Sequence, residues 1–159
     1  NSFSKYFGMT GWRLGWLVAP ERHVREIEKL AQNLYIAPST VAQHAALAAF
    51  DRETTAILEA RREEFSRRQN VLLPGLQKLG FKIAAKPQGA FYVYAESSAL
   101  ATDSTLLAQR LLTEAGVAAT PGLDFGINAP QSHMRFAYTI ERERIEEGLA
   151  RMATVLKSG

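Results

Sequence analysis

The spacing of apolar residues along the chain changes period several times, and each change predicts an element. Residues 1–8 read as a loop, and the apolar run Leu14 to Val18, stopped by Ala19-Pro20, reads as a strand. Val24, Ile27, Ala31 and Leu34 then recur at helical spacing, giving an amphipathic helix that Ala37-Pro38-Ser39-Thr40 should break. Thr40 with Gln43 three residues later resembles a capping box and should open a small-residue helix through Phe50. Leu58, Phe65, Leu72 and Leu79 mark a long charged helix from about Glu53, which Pro74-Gly75 should kink or interrupt.

Beyond Gly80 the elements shorten. Ala90 to Tyr94 is a β-rich run, Ser104 to Ala115 a helix and Val117 to Ala119 a short strand. Pro121 to Gly126 reads as a loop in which the glycines and Asp124 serve turn geometry. Met134 to Tyr138 alternates, with Met134, Phe136 and Tyr138 on one face and Arg135 on the other. Ile145, Leu149, Met152 and Leu156 form the stripe of a final helix. The pattern places a boundary near residue 52, with the long helix crossing between two bodies.

Composition narrows the picture without deciding it. A chain of 159 residues, 47% hydrophobic and 22% charged, can bury one core and a second small one. No apolar run reaches the length of a membrane span, so no membrane partner is expected. The absence of cysteine excludes a disulfide scaffold and a thiol nucleophile and fits a cytoplasmic setting. His23, His44 and His133 lack the spacing of a metal site, and none is expected. The net charge of +3 is small. Its densest basic stretch, Arg61 to Arg68, sets Glu63 against Arg67 and Glu64 against Arg68 at helical spacing. That pattern suits a solvated helix face, not a nucleic-acid patch, which would interleave aromatic residues or glycines.

The first fifteen residues carry the chemistry. Ser2-Phe3-Ser4-Lys5-x-x-Gly8-Met9-x-Gly11-x-Arg13-Leu14-Gly15 places a primary amine between hydroxyls and a guanidinium. An amine can bond covalently to an aldehyde and, once freed, shuttle a proton, because a lysine loses its charge near another cation or away from water. Hydroxyl and guanidinium suit phosphate oxygens. The glycines let the backbone pack closely and turn sharply. This string matches, at every constrained position, the lysine signature of class I/II (fold type I) pyridoxal-phosphate-dependent aminotransferases, and the chain resembles the carboxy-terminal part of that family.

The resemblance implies that Lys5 carries pyridoxal 5′-phosphate as a Schiff base. It implies that Ser2 and Arg13 bind the cofactor phosphate, and Ser4 either touches it or bonds its own loop. Further along, Pro38 to Gln43 is similar to an interface segment that approaches the cofactor of a partner subunit, which implies a homodimer. Pro87 to Tyr92 is similar to the family's small-domain segment leading into a strand. Pro121-Gly122-x-x-Phe125-Gly126 resembles the loop before the final strand, Arg135 to Tyr138. In the family the arginine of that strand pairs with the substrate α-carboxylate, a role here for Arg135.

The implied fold is α/β. Residues 1–52 would end a large cofactor-binding domain of mixed three-layer α/β/α form, and 53–159 would form a small α+β domain. The implied activity moves an amino group between an amino acid and a 2-oxo acid. A lyase on the same scaffold and the aminotransferase-like effector domain of a transcription regulator are the alternatives. Asn33 to Asp51 contains no Lys or Arg, which in this family points away from acidic substrate side chains. The chain begins inside the motif. The acid facing the pyridine nitrogen and the ring-stacking aromatic are therefore expected upstream, and residues 1–159 alone are expected to hold cofactor weakly and to be inactive.

Overall fold

The computed structural model describes residues 1–157. The chain is an α/β structure of two compact units, residues 1–62 and the residues from Glu63 onward. The division falls inside a helix, later than the boundary expected at residue 52. The first turns of that helix belong with the amino-terminal loop because Glu59 accepts a 2.6 Å hydrogen bond from the Tyr6 hydroxyl.

In the first unit, the opening residues pair with the segment after the motif. Phe3 N–H donates to the Leu14 carbonyl at 3.0 Å and Trp16 N–H to the Asn1 carbonyl at 2.9 Å, around a Ser2–Gly15 antiparallel bridge. The strand expected at Leu14 to Val18 does not extend further. Leu17 and Val18 are 67% and 88% exposed, and no other backbone among the described residues offers them a ladder. A strand exists only where a neighbour pairs its amides, and Asn1–Phe3 is long enough for the first part alone. Phe3 is buried, with its ring centroid 4.8 Å from Phe7, 4.9 Å from Trp16 and 5.9 Å from Phe50, and Ala46 and Ala49 complete this small core.

Helix α1 (Glu21–Leu34) follows Pro20 and carries Glu21 in its first turn, where an acid suits the helix dipole. Helix α2 (Thr40–Ala48) begins at Thr40 itself, so the N-cap is Ser39, one residue before the expected cap, and it makes no side-chain cap bond. Gln43 donates instead to the Pro38 carbonyl at 2.9 Å, so the capping box is not made. Helix α3 (Arg52–Lys78) runs without interruption through Pro74. Leu72, Leu73 and Leu76 around the proline are all buried, which offsets the backbone bond that proline forfeits. A Cβ on Gly75 would stand 2.3 Å from Leu149 Cδ1, so a larger residue there requires Leu149 to move.

The second unit is built on a three-stranded antiparallel sheet in the order β1 (Tyr92–Glu96), β3 (His133–Ala137), β2 (Thr120–Pro121). Strand β1 begins later than the expected Ala90 because Ala90 has φ of 56°. Strand β2 lies after the expected Val117–Ala119. Helix α4 (Ser104–Ala115) ends on Gly116 at φ 63°, and Val117 N–H turns back onto the Leu111 carbonyl at 3.0 Å, so Val117 finishes the helix. Asp103 caps the start of α4, accepting from Thr105 N–H at 2.7 Å.

Val93, Ala95, Met134 and Phe136 point to one face of the sheet and form the core with the second half of α3, α4 and α5 (Arg142–Lys157). The expected alternation in the last strand is therefore observed. Tyr138 is 1% exposed; its hydroxyl donates to the Ala90 carbonyl and accepts from Gln69 Nε2, each at 3.2 Å, while Gln69 also reaches the Pro87 carbonyl at 2.9 Å. This pins the segment leading into β1. The opposite sheet face, carrying Tyr92, Tyr94, Glu96, His133 and Arg135, lies away from that core. No helix of the described residues is long and apolar enough to cross a membrane.

Candidate active site

The structure distributes the expected site residues over both units: Ser2, Ser4, Lys5 and Arg13 in the first, Arg135 in the second. The first four share a loop knitted by its own polar groups. Ser4 N–H donates to Ser2 Oγ at 3.1 Å, and Thr10 Oγ1 donates to the Ser4 carbonyl at 2.5 Å. Arg13 Nη1 donates to the Thr10 carbonyl at 2.9 Å. Thr10 thus links the two serines to the arginine, a role the sequence motif does not reveal because it depends on where the loop folds back. A short turn of 3-10 helix, Thr10–Trp12, delivers Arg13 in the left-handed region at φ 53°. That conformation is costly for a non-glycine residue and is held by the pairing on either side.

Close backbone approach is built into the same loop. A Cβ on Gly15 would come within 2.7 Å of the Asn1 carbonyl oxygen, so the Ser2–Gly15 pairing requires glycine. Beside Lys5, the Tyr6 phenol is pushed above its usual range, first by the hydrogen bond it gives Glu59. Glu59 is held below the usual carboxylate range by that bond and then by Arg62, which donates to it at 2.7 Å. An open cleft of ≈ 410 Å³ is lined by Gly11, Trp12, Arg13, Ser39, Val41 and Ala42. The segment after Pro38 therefore borders Arg13 within one chain.

The donor set fits a phosphate-bearing aldehyde. Residues 1–20 contain Lys5 and Arg13 and no Asp or Glu, so the loop's own sequence sets two cationic side chains beside two serine hydroxyls.

In the second unit Arg135 projects from the central strand on the face away from the core. Its guanidinium carbon lies 4.2 Å from the Tyr92 ring centroid and 4.1 Å from that of Phe125. Tyr94, opposite Arg135 in register, stacks on His133 at 4.9 Å with an interplanar angle of 4°. The Arg61 to Arg68 stretch is laced with acids, including Arg67–Glu64 at 2.8 Å, Arg68–Glu64 at 3.3 Å and Arg67–Glu63 at 3.9 Å. That is the solvated, ion-paired face its spacing predicts.

The family model for aminotransferase class I and II matches residues 1–152. A valine–pyruvate aminotransferase of Mycobacterium tuberculosis is 40% identical over 99% of this chain and 41% of its own length. An aspartate/prephenate aminotransferase of Thermus thermophilus is 40% identical over 98% of this chain and 40% of its own length. The crystal structure of an aminotransferase from Mycobacterium tuberculosis superposes with a TM-score of 0.96 at 39% identity, covering 100% of this chain and 41% of that one. An aromatic aminotransferase from Pyrococcus horikoshii gives a TM-score of 0.90 at 35% identity, with 98% and 42% covered. The chain thus spans about two-fifths of the length of the relatives it matches. By its motif, its loop geometry and this match over nearly its whole length, the chain belongs to the class I and II aminotransferase family.

Proposed function

We propose that the protein transfers an amino group between an amino acid and a 2-oxo acid, with pyridoxal 5′-phosphate as its resident cofactor. The hydrogen-bonded run Ser2–Ser4–Thr10–Arg13 around Lys5 is the observation that carries this reading. The names of the relatives described above, all aminotransferases, favour transfer over a lyase reaction.

When bound, pyridoxal 5′-phosphate supplies the electron sink that lets the α-C–H bond of an amino acid ionise. Lys5 is the covalent anchor through Nζ. With the cofactor bound, the Lys5 Nζ amine, once free, would take up the proton leaving the substrate α-carbon and hold it at Nζ until it is handed back. Arg13 and the Ser2 hydroxyl hold the phosphate, and Ser4 supports the loop through its backbone bonds to Ser2 and Thr10. Arg135 holds the α-carboxylate, the planar anion that a guanidinium matches edge to edge. We also place the working protein as a homodimer, with the Pro38 to Gln43 segment at the subunit interface.

The test is product balance. The cofactor-loaded protein, given one amino acid and a different 2-oxo acid, should yield the exchanged pair in equal amounts without free ammonia. Release of ammonia with a 2-oxo acid product, and no new amino acid, would assign the site to elimination instead.

A further inference from the structure

We propose that Tyr92 and Phe125 are positioning residues that clamp the Arg135 guanidinium between their rings, fixing its plane for the substrate α-carboxylate. The inference rests on the reading of Arg135 given above and adds what orients it. Strand β3 lies between β1 and β2, so the two rings reach Arg135 from its two flanking sides. Tyr92 comes from β1, where Tyr94 is the residue directly opposite Arg135. Phe125 comes from the turn Gly122–Phe125 that follows β2.

The centroid distances of 4.2 Å and 4.1 Å are those of rings stacked on a cation. A guanidinium is flat, weakly hydrated on its faces, and carries all its N–H donors in its plane. Two rings this close to the guanidinium carbon, packed on its faces in the proposed clamp, would leave the donor edge available and remove rotational freedom before a ligand arrives. Among the described residues, these two rings are the recorded partners of the guanidinium, with no hydrogen bond or ion pair competing for that edge.

Phe125 is itself held. It meets Tyr94 edge-on at 6.3 Å and 85°, and Tyr94 is stacked on His133. Its turn can sit this close only because residue 122 is glycine. A Cβ there would lie 2.3 Å from the Pro130 carbonyl oxygen, 2.8 Å from the Tyr94 hydroxyl and 2.9 Å from the His133 carbonyl oxygen. The glycine is thus a steric requirement of the clamp and not a φ requirement. It explains why the turn after β2 and the central strand act together.

The experiment compares Phe125→Leu, Tyr92→Leu, Phe125→Tyr and Arg135→Ala in the cofactor-loaded protein. Phe125 is 40% exposed, so its replacement by leucine leaves the core untouched. Each leucine variant should raise KM for the amino acid about ten-fold, the scale of one cation–π contact in a partly desolvated site, with kcat nearly unchanged. Phe125→Tyr keeps the ring and should keep KM. In NMR of the protein without substrate, the Arg135 side-chain protons should be shifted upfield by the ring currents and lose part of that shift in each leucine variant. Normal KM and unchanged Arg135 resonances in both leucine variants would overturn the clamp, while a raised KM in Arg135→Ala would leave the carboxylate assignment standing. If Arg135→Ala also leaves KM unchanged, the assignment of Arg135 itself fails.

Discussion

Gly75 offers a perturbation whose sign is not obvious from propensity. It lies inside α3, where replacing glycine by alanine ordinarily stabilises a helix by about 0.5–1 kcal/mol through reduced backbone entropy. Here the new methyl would stand 2.3 Å from Leu149 Cδ1, 2.8 Å from Cδ2 and 3.1 Å from Cγ. Carbon atoms in contact prefer roughly 3.5–4.0 Å, and forcing an extra methyl into a packed site costs about 1–3 kcal/mol. Leu149 is half-buried and packs against the core, so withdrawing it gives up part of that packing. The steric term wins, so Gly75→Ala should destabilise the chain by about 1 kcal/mol. Urea unfolding followed by far-UV circular dichroism reads this as a lower midpoint. With Leu149→Ala in the background the clash disappears, and the same Gly75→Ala change should stabilise by about 0.5–1 kcal/mol. A higher midpoint for Gly75→Ala alone, with Leu149 intact, would refute the reasoning.

Three further outcomes are expected. Glu64 is held below the usual carboxylate range, first by the hydrogen bond from Arg67 and then by Arg68 and the charge of Arg142. A lowered folded value means the stability it contributes is present above the ordinary value of 4.5 and lost as pH falls through the folded one, so Glu64→Gln should flatten the acid limb of a stability–pH profile, less so at high salt. Gly15→Ala forces a methyl against the Asn1 carbonyl oxygen and should raise the cofactor dissociation constant several-fold by equilibrium dialysis; unchanged binding would mean that the Ser2–Gly15 pairing does not shape the site. Because Asn33 to Asp51 holds no Lys or Arg, aromatic or aliphatic amino acids should give a higher kcat/KM than aspartate, and a strong aspartate preference would contradict this.

How much of this was legible in the sequence depends on how local the cause was. Helix α4 was read at its observed bounds, Ser104 to Ala115, whose ends the structure shows capped by Asp103 and Gly116, and β3 was readable because Met134, Phe136 and Tyr138 keep a strict alternation into the core. The same local reading misplaced β1, since nothing near Ala90 announces its left-handed backbone. It also took Val117 for a strand, although its N–H completes a helix end. Leu14 to Val18 has strand composition but only a short neighbour to pair with. Pro74 reads as a helix breaker until the burial of Leu72, Leu73 and Leu76 is known. Of the residues proposed for the site, Lys5, Ser2, Ser4 and Arg13 stand at fixed spacing in one motif and could be proposed from it. Thr10, Tyr6, Tyr92 and Phe125 could not, because each contacts a partner that only folding brings within reach.

The account stands or falls on Lys5. Borohydride reduction of the cofactor-loaded protein, followed by peptide mass mapping, should find the reduced pyridoxyl group on Lys5 Nζ, and Lys5→Ala should abolish the labelling together with the visible absorption band. Labelling at a different lysine, or undiminished labelling in Lys5→Ala, would contradict it.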